Sequence, residues 1–326
     1  MELDRSRIFA TFSEGSATSL PELSLALLAS QKSAWAQLRD GHAGLDGRLE
    51  RRIEEGELAV QLQCNPQRIV STGADLDPAA IRKRACFLCR PNLPPEQQAI
   101  LYHRHFLVLC NPFPIFTAHF TVACVEHLPQ ALQGVWPSLL QLAGDFSPAF
   151  AVLYNGPLCG ASAPDHLHFQ AVPQAAIPLL KLGMRDRLKL REQGSVAVWK
   201  VKGGLGPALM VESGNDQVLV SFVERILKAA ERTLSRPGEP LINLFCLYRE
   251  QKWQIVIFFR RQHRPAAYYR TGDAQVLVSP GAVDMGGLLI LPRKKDFYGL
   301  RVPLIREIIS EVSLPEALLD EIAAAA

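Results

Sequence analysis

Apolar residues recur at helical spacing over residues 21–38, at Leu23, Leu27, Leu28, Trp35 and Leu38, and predict an amphipathic entry helix. Gly41, Gly44 and Gly47 follow and predict a turn. Residues 58–70 read as extended, are interrupted by Asn65-Pro66, and lead into a loop at Thr72-Gly73-Ala74-Asp75. Short apolar or alternating runs then predict strands over 105–110, 117–125, 150–154 and 166–172, with a helix-like interlude over 129–142. Beyond a proline-flanked run at 173–178 the pattern returns. It predicts strands over 196–201, 209–212, 241–248, 253–260 and 288–291, and one strong amphipathic helix over 218–234. Ser313 and Glu316 have capping-box spacing before a last helix over 317–324. The recurrence predicts an α+β chain of two related halves, each an antiparallel sheet packed with helices. Residues 1–80 are expected as a helical and extended segment packing on the core, 81–175 as the first half and 176–326 as the second.

Composition narrows the functional classes. Of 326 residues, 48% are hydrophobic, enough for a large core. A net charge of +3, from 35 basic and 32 acidic residues, gives no footprint for duplex nucleic acid and leaves only local basic sites for small anions. No apolar run approaches a membrane span of ~20 residues, and Glu2, Asp4, Arg5 and Arg7 stand where a signal sequence would be apolar. A cytoplasmic protein without a membrane partner is expected. Seven cysteines, of which only Cys86 and Cys89 lie close together, argue against a disulfide framework.

The densest chemistry lies in Ser162-Ala163-Pro164-Asp165-His166-Leu167-His168-Phe169-Gln170. On a strand, His166, His168 and Gln170 would project from one face, roughly 6–7 Å between successive groups, while Leu167 and Phe169 enter the core. A solvated strand face or a pair of satisfied core histidines is the plain alternative. Upstream, Tyr154-Asn155-Gly156-Pro157-Leu158-Cys159-Gly160 ends a strand in a Gly-containing loop whose N–H groups, with the Ser162 hydroxyl, could meet a phosphate. A neutral imidazole at His168 is a competent nucleophile toward phosphorus, and the Gln170 amide can donate to the transferred group.

Cys86-Phe87-Leu88-Cys89 has the spacing for two thiolates on one tetrahedral ion, with His127 and His166 the histidines that the sheet would bring near to complete a zinc site. Buried free thiols or a redox dithiol are the alternatives, although a redox pair should open a helix and here Pro91, Pro94 and Pro95 follow.

The run from Asn155-Gly156 through Ser162 to His166-Leu167-His168-Phe169-Gln170 resembles the active-site signature of the histidine-triad superfamily. The relevant branch contains galactose-1-phosphate uridylyltransferase, diadenosine tetraphosphate phosphorylase and the GDP-hexose phosphorylases. The resemblance implies two histidine-triad-like halves, with His168 as nucleophile and Gln170 in place of the third histidine of the hydrolases. His-Leu-His-Phe-Gln is most similar to the GDP-hexose phosphorylases. Cys86-x-x-Cys89 resembles the zinc pair of the uridylyltransferases, and the resemblance assigns His127 and His166 to complete it. Asn65-Pro66 with Ile69-Val70-Ser71 is similar to the segment preceding that pair, and Asp284-Met285-Gly286-Gly287-Leu288-Leu289-Ile290-Leu291-Pro292-Arg293 to the closing strand of the second repeat. Leu167 replaces a proline of the uridylyltransferases, Asp165 precedes His166, and the arginines that follow Asn-Pro in that family have no match near residues 73–76. These departures point away from UDP-galactose and leave the base unassigned.

Asn111 and Phe113, in Asn111-Pro112-Phe113-Pro114, stand where relatives shape the base and ribose pocket. With Asn155, Gly156 and Gly160 they are the candidate nucleotide contacts, and His168, Gln170 and Ser162 the candidate catalytic set. Arg260, Arg261, His263 and Arg264 read as a solvated strand end or, alternatively, an anchor for phosphate. Lys200 and Lys202 before Gly203-Gly204 read as solvated lysines of a hairpin. The expected protein is a nucleotidyltransferase or phosphorylase acting on a nucleoside diphosphate sugar or a dinucleoside polyphosphate, with phosphate or sugar phosphate as acceptor and structural Zn2+. A histidine-triad hydrolase and a non-catalytic zinc-stabilised nucleotide-binding module are the other readings, and a homodimer stays open.

Overall fold

Fourteen strands organise the computed structural model, which describes residues 5–56, 58–73, 77–181, 186–202 and 204–326. Ala74 and Asp75 of the expected loop, Leu76, Gly203 of the expected hairpin turn and residues 1–4 lie outside these residues. In chain order the strands are β1 (Ile8–Phe12), β2 (Leu49–Glu55), β3 (Leu58–Cys64), β4 (Ala99–Tyr102), β5 (Phe106–Cys110), β6 (Phe120–Cys124) and β7 (Phe150–Asn155). They continue with β8 (His168–Pro173), β9 (Arg187–Gln193), β10 (Val196–Val201), β11 (Ala208–Ser213), β12 (Ile242–Arg249), β13 (Lys252–Phe259) and β14 (Leu288–Leu291).

Eleven of them form one sheet in the order β1-β4-β5-β6-β8-β7-β12-β13-β11-β10-β9. Within this sheet, among the described residues, only β1 and β4 pair in parallel. The orders β4-β5-β6-β8-β7 and β9-β10-β11-β13-β12 are the same pattern twice, and each repeat inserts a helix between its third and fourth strands in sequence, Trp136–Asp145 and Asp216–Thr233. The repeats meet where β7 pairs antiparallel with β12, Asn155 opposite Asn243. The chain is therefore α+β with two antiparallel, helix-packed halves, joined through one hydrogen-bonded ladder. A smaller sheet, β14-β3-β2, joins β3 from the N-terminal segment in parallel to β14 from the second half.

Alternation along the strands divides the core. Phe106, Val108 and Cys110 of β5 enter the cluster beneath the helices, while Leu107 and Leu109 enter a cluster on the opposite face. Leu167 and Phe169 lie in the helix-side core, as expected, and a buried phenylalanine such as Phe169 contributes roughly 2–3 kcal/mol by leaving water. The strand itself starts at His168, two residues later than predicted.

The entry helix breaks in two at Trp35, which is extended (φ −118°, ψ 107°) and buried, giving helices Leu20–Ala34 and Ala36–Asp46. Gly41 and Gly44, expected in a turn, lie inside the second helix. Gly41 serves close approach, since a Cβ there would collide with the Pro112 carbonyl oxygen, whereas one at Gly44 would meet only the end of the flexible Gln67 side chain. The expected capping box also fails. The last helix, Glu316–Ala325, starts at Pro315 with no side-chain cap, and the Ser313 hydroxyl instead donates to the Leu205 carbonyl (3.3 Å). Lys200 is buried, not solvated, with Nζ 2.8 Å from Glu316 Oε1 and 2.7 Å from Asp320 Oδ1, so it ties that helix to the sheet. Among the described residues no helix is long and apolar enough to cross a membrane.

Candidate functional site

The face of the sheet opposite the long helices carries a cavity of about 730 Å3 at the C-terminal end of β7 and the start of β8. His168, Gln170, Ser162, Gly160, Asn155, Asn111 and Phe113 all line it. Gly156 is set apart, because its N–H donates to the Ile242 carbonyl (3.0 Å) and extends the β7–β12 pairing. Gly160 has φ +97° and faces Gly281, where a Cβ would come within 3.1 Å of the Gly281 Cα, so only glycine fits. Asn155 is tied up in its side chain: Oδ1 accepts from Asn243 Nδ2 (2.7 Å) and from the Ala282 N–H (2.8 Å).

His168 is held on three sides. Its N–H donates to Gln130 Oε1 (2.8 Å), and Gln130 Nε2 donates back to the His168 and Asn155 carbonyls. Its Nδ1–H donates to the His166 carbonyl (2.8 Å), which makes Nε2 the unprotonated nitrogen. Burial pushes the imidazole down to about 4, against a smaller raising effect of the His166 carbonyl, so the ring is neutral at pH 7.

Cys86, Cys89, His127 and His166 converge, their ligand atoms all within 4.8 Å of one another. His166 Nδ1 lies 3.4 Å from Cys86 Sγ, 3.6 Å from Cys89 Sγ and 3.3 Å from His127 Nδ1, and His127 Nδ1 lies 3.1 Å from Cys89 Sγ. Tetrahedral ligation at ordinary zinc distances requires N–N edges of about 3.3 Å and N–S edges of about 3.5 Å. The donor set also fits in its protonation, because His166 Nε2–H donates to the Cys124 carbonyl (2.8 Å) and turns a bare Nδ1 toward the sulfurs. This Cys2His2 cluster can hold a metal ion. Arg84 Nη2 reaches Asp165 Oδ1 (2.6 Å) beside it and ties the Cys-x-x-Cys segment to the residue before His166.

Three arginines line the cavity among the described residues, Arg68, Arg84 and Arg264. Arg68 donates from Nη1 to the Phe113 carbonyl (2.8 Å), while its buried Nε and the buried Arg84 Nη1 have no hydrogen-bond partner among the described residues. Burial lowers Arg68 to about 10, partly offset by Asp284, and the guanidinium stays charged. Arg68 stands three residues after Asn65, nearer to Asn-Pro than residues 73–76, where the sequence shows no matching arginine. Arg264 donates from Nε to Ser279 Oγ (3.0 Å) and from Nη2 to the Thr72 carbonyl (3.2 Å), so the second half reaches into the cavity.

Arg260, expected as a solvated strand end or a phosphate anchor, is neither. It is 2% exposed and saturated by protein, with Nε on the Val312 carbonyl, Nη1 on Asn243 Oδ1 and the Pro280 carbonyl, and Nη2 on the Gln262 and His263 carbonyls. It pins the chain that carries His263, Arg264 and Ser279 to the cavity. His119, not singled out in sequence because no motif surrounds it, bonds the Gln170 side chain from below.

Solved structures of yeast Ap4A phosphorylase Apa2 share this architecture. The structure described by that name alone is 15% identical, with 91% of this chain and 94% of that chain covered and a TM-score of 0.54. The complex with AMP is 15% identical (90% and 95% covered, TM-score 0.56), and the complex with Ap4A 13% identical (90% and 97%, TM-score 0.58). The fold is the one seen in Apa2. It is also the fold that the His166 to Gln170 resemblance implies. A family model described as a domain of unknown function (DUF4922) matches residues 27–173, which include the Cys2His2 cluster, His168 and Gln170. No curated protein matches the sequence.

Proposed function

We propose that this protein is a phosphorylase of the nucleotidyl-transferring kind, splitting a dinucleoside polyphosphate through a covalent nucleotidyl-His168 intermediate. One observation carries the reading: a buried, neutral imidazole with its Nδ1 proton fixed on the His166 carbonyl, lining a cavity that also presents Gln170 and three arginines. The fold shared with Apa2 over nine-tenths of the chain supports the same choice.

The His168 Nε2 lone pair attacks the α-phosphorus, and the bond to the bridging oxygen breaks with its electron pair leaving on the departing nucleoside polyphosphate. Gln170 donates to a non-bridging oxygen, and Arg68 and Arg84 face the charge of the chain. A phosphate oxygen then attacks the same phosphorus and the N–P bond breaks, returning the imidazole neutral. With Ap4A the products are ATP, then ADP. An amide at position 170 steadies the phosphoryl group and has no readily transferred proton, which favours transfer to phosphate over hydrolysis. We assign zinc to Cys86, Cys89, His127 and His166, where it would neutralise the thiolates and anchor the start of β8.

The test is incubation with labelled Ap4A at varied phosphate, with GDP-hexoses as competing substrates. An acid-labile adduct that forms without phosphate, discharges to ADP with it and is lost in His168→Ala supports the reading. AMP released equally well without phosphate would sink transfer, and preferred turnover of a GDP-hexose would replace the substrate.

A further inference from the structure

We infer that His119 is a positioning residue that sets which end of the Gln170 amide faces the cavity. The inference rests on the proposed use of Gln170 and adds a residue to it. His119 stands just before β6, is 1% exposed and makes no contact with the metal cluster's ligands in the hydrogen-bond network. Its Nδ1 lies 3.2 Å from the Ile115 N–H. A backbone N–H can only donate, so Nδ1 is bare and the neutral ring carries its proton on Nε2. That proton points at Gln170 Oε1, 2.7 Å away. With its carbonyl oxygen held inward, Gln170 has its NH2 left for the cavity.

The orientation matters because an amide can be placed either way round with almost the same shape. Reversed, it would aim oxygen lone pairs at the phosphoryl oxygens and remove a donor where charge gathers. Protonation of His119 would not undo the arrangement near neutrality, since burial, followed by the charge of Arg68, pushes the ring down to about 3. The same residue also closes the loop that carries Asn111 and Phe113, its carbonyl accepting from the Asn111 N–H (3.0 Å), so its two effects need separating.

Nitrogen-15 spectra of histidine-labelled protein separate this inference from the proposed function. A His119 signal with Nδ1 unprotonated and Nε2 protonated across pH 6–8 is expected, and a protonated Nδ1 overturns the inference whatever the protein turns over. Kinetics with Ap4A and inorganic phosphate give the second arm. His119→Leu should lower kcat about 10- to 100-fold with AMP affinity and KM within about threefold, as for loss of one preorganised donor. His119→Gln, whose Nε2 can occupy the position of the lost ring nitrogen, should recover kcat to within about fivefold of wild type. Combined with Gln170→Ala, His119→Leu should cost nothing further, because both act through one amide. Equal kcat losses in the Leu and Gln variants at matched melting temperature, or full additivity with Gln170→Ala, would assign His119 to the loop alone.

Discussion

The His166 carbonyl accepts the Nδ1 proton of His168 at 2.8 Å, so one residue serves two centres: its ring faces the cysteines and its backbone sets the tautomer of the next histidine. The Cys2His2 cluster and the cavity are thereby coupled through a single peptide unit.

Removing a metal ligand should consequently disturb both. The wild type is expected to carry one zinc per chain and Cys86→Ser to lose it, at a cost of about 4 kcal/mol, roughly 6 °C in melting temperature, and with Ap4A phosphorolysis lowered at least tenfold. Elemental analysis and thermal melting check this, and unchanged metal content would show that the four side chains do not form the site.

The packing of Gly41 against the Pro112 carbonyl makes a contrast with Gly47, around which a Cβ would meet nothing. Gly41→Ala should destabilise by about 2 kcal/mol in spite of alanine's better helix propensity, and should weaken AMP binding by shifting the Asn111 to Pro114 loop. Gly47→Ala should change stability by under about 0.5 kcal/mol. Calorimetric melting and AMP titration of the two proteins side by side decide it.

Arg260 has its guanidinium on four carbonyls and the Asn243 amide. Arg260→Met would strand those acceptors in the interior, with an expected loss of about 3–5 kcal/mol. Arg260→Lys should recover little, since one ammonium cannot span the fork. Urea denaturation measures both, and a lysine variant as stable as wild type would contradict the saturation argument.

His263 gives a pH signature. Burial, then Arg264 and Arg260, pushes it down to about 3, while in the unfolded chain it titrates near 6.5. A lowered histidine pKa means the folded state disfavours the proton. Its contribution is therefore complete above about pH 6.5 and is lost as the pH falls toward 3. Between pH 7 and 5 this amounts to about 1–2 kcal/mol, and His263→Gln should make the fall in melting temperature over that interval smaller. An identical pH slope in wild type and variant would show that His263 does not contribute.

Local pattern carried a good part of this protein. Alternation placed Leu167 and Phe169 in the core with His168 and Gln170 on the other face, because side-chain direction on a strand follows from sequence parity. Cys86-x-x-Cys89 announced two side chains of one ligand cluster through a spacing that needs no tertiary information, Gly160 and Ser162 were reached through the Gly-containing loop and Asn111 and Phe113 through the family resemblance, and all four line the cavity.

What the sequence could not decide are the relationships between segments far apart in the chain. Whether a glycine makes a turn or admits a neighbouring carbonyl depends on what packs there, as Pro112 does on Gly41. Whether an arginine is solvated, saturated or aimed at a ligand depends on long-range acceptors, and tertiary packing alone separated Arg260 from Arg68. His119 had no motif because its chemistry lies in one hydrogen bond to Gln170, 51 residues away, and only the pairing of β6 with β8 brings the two together.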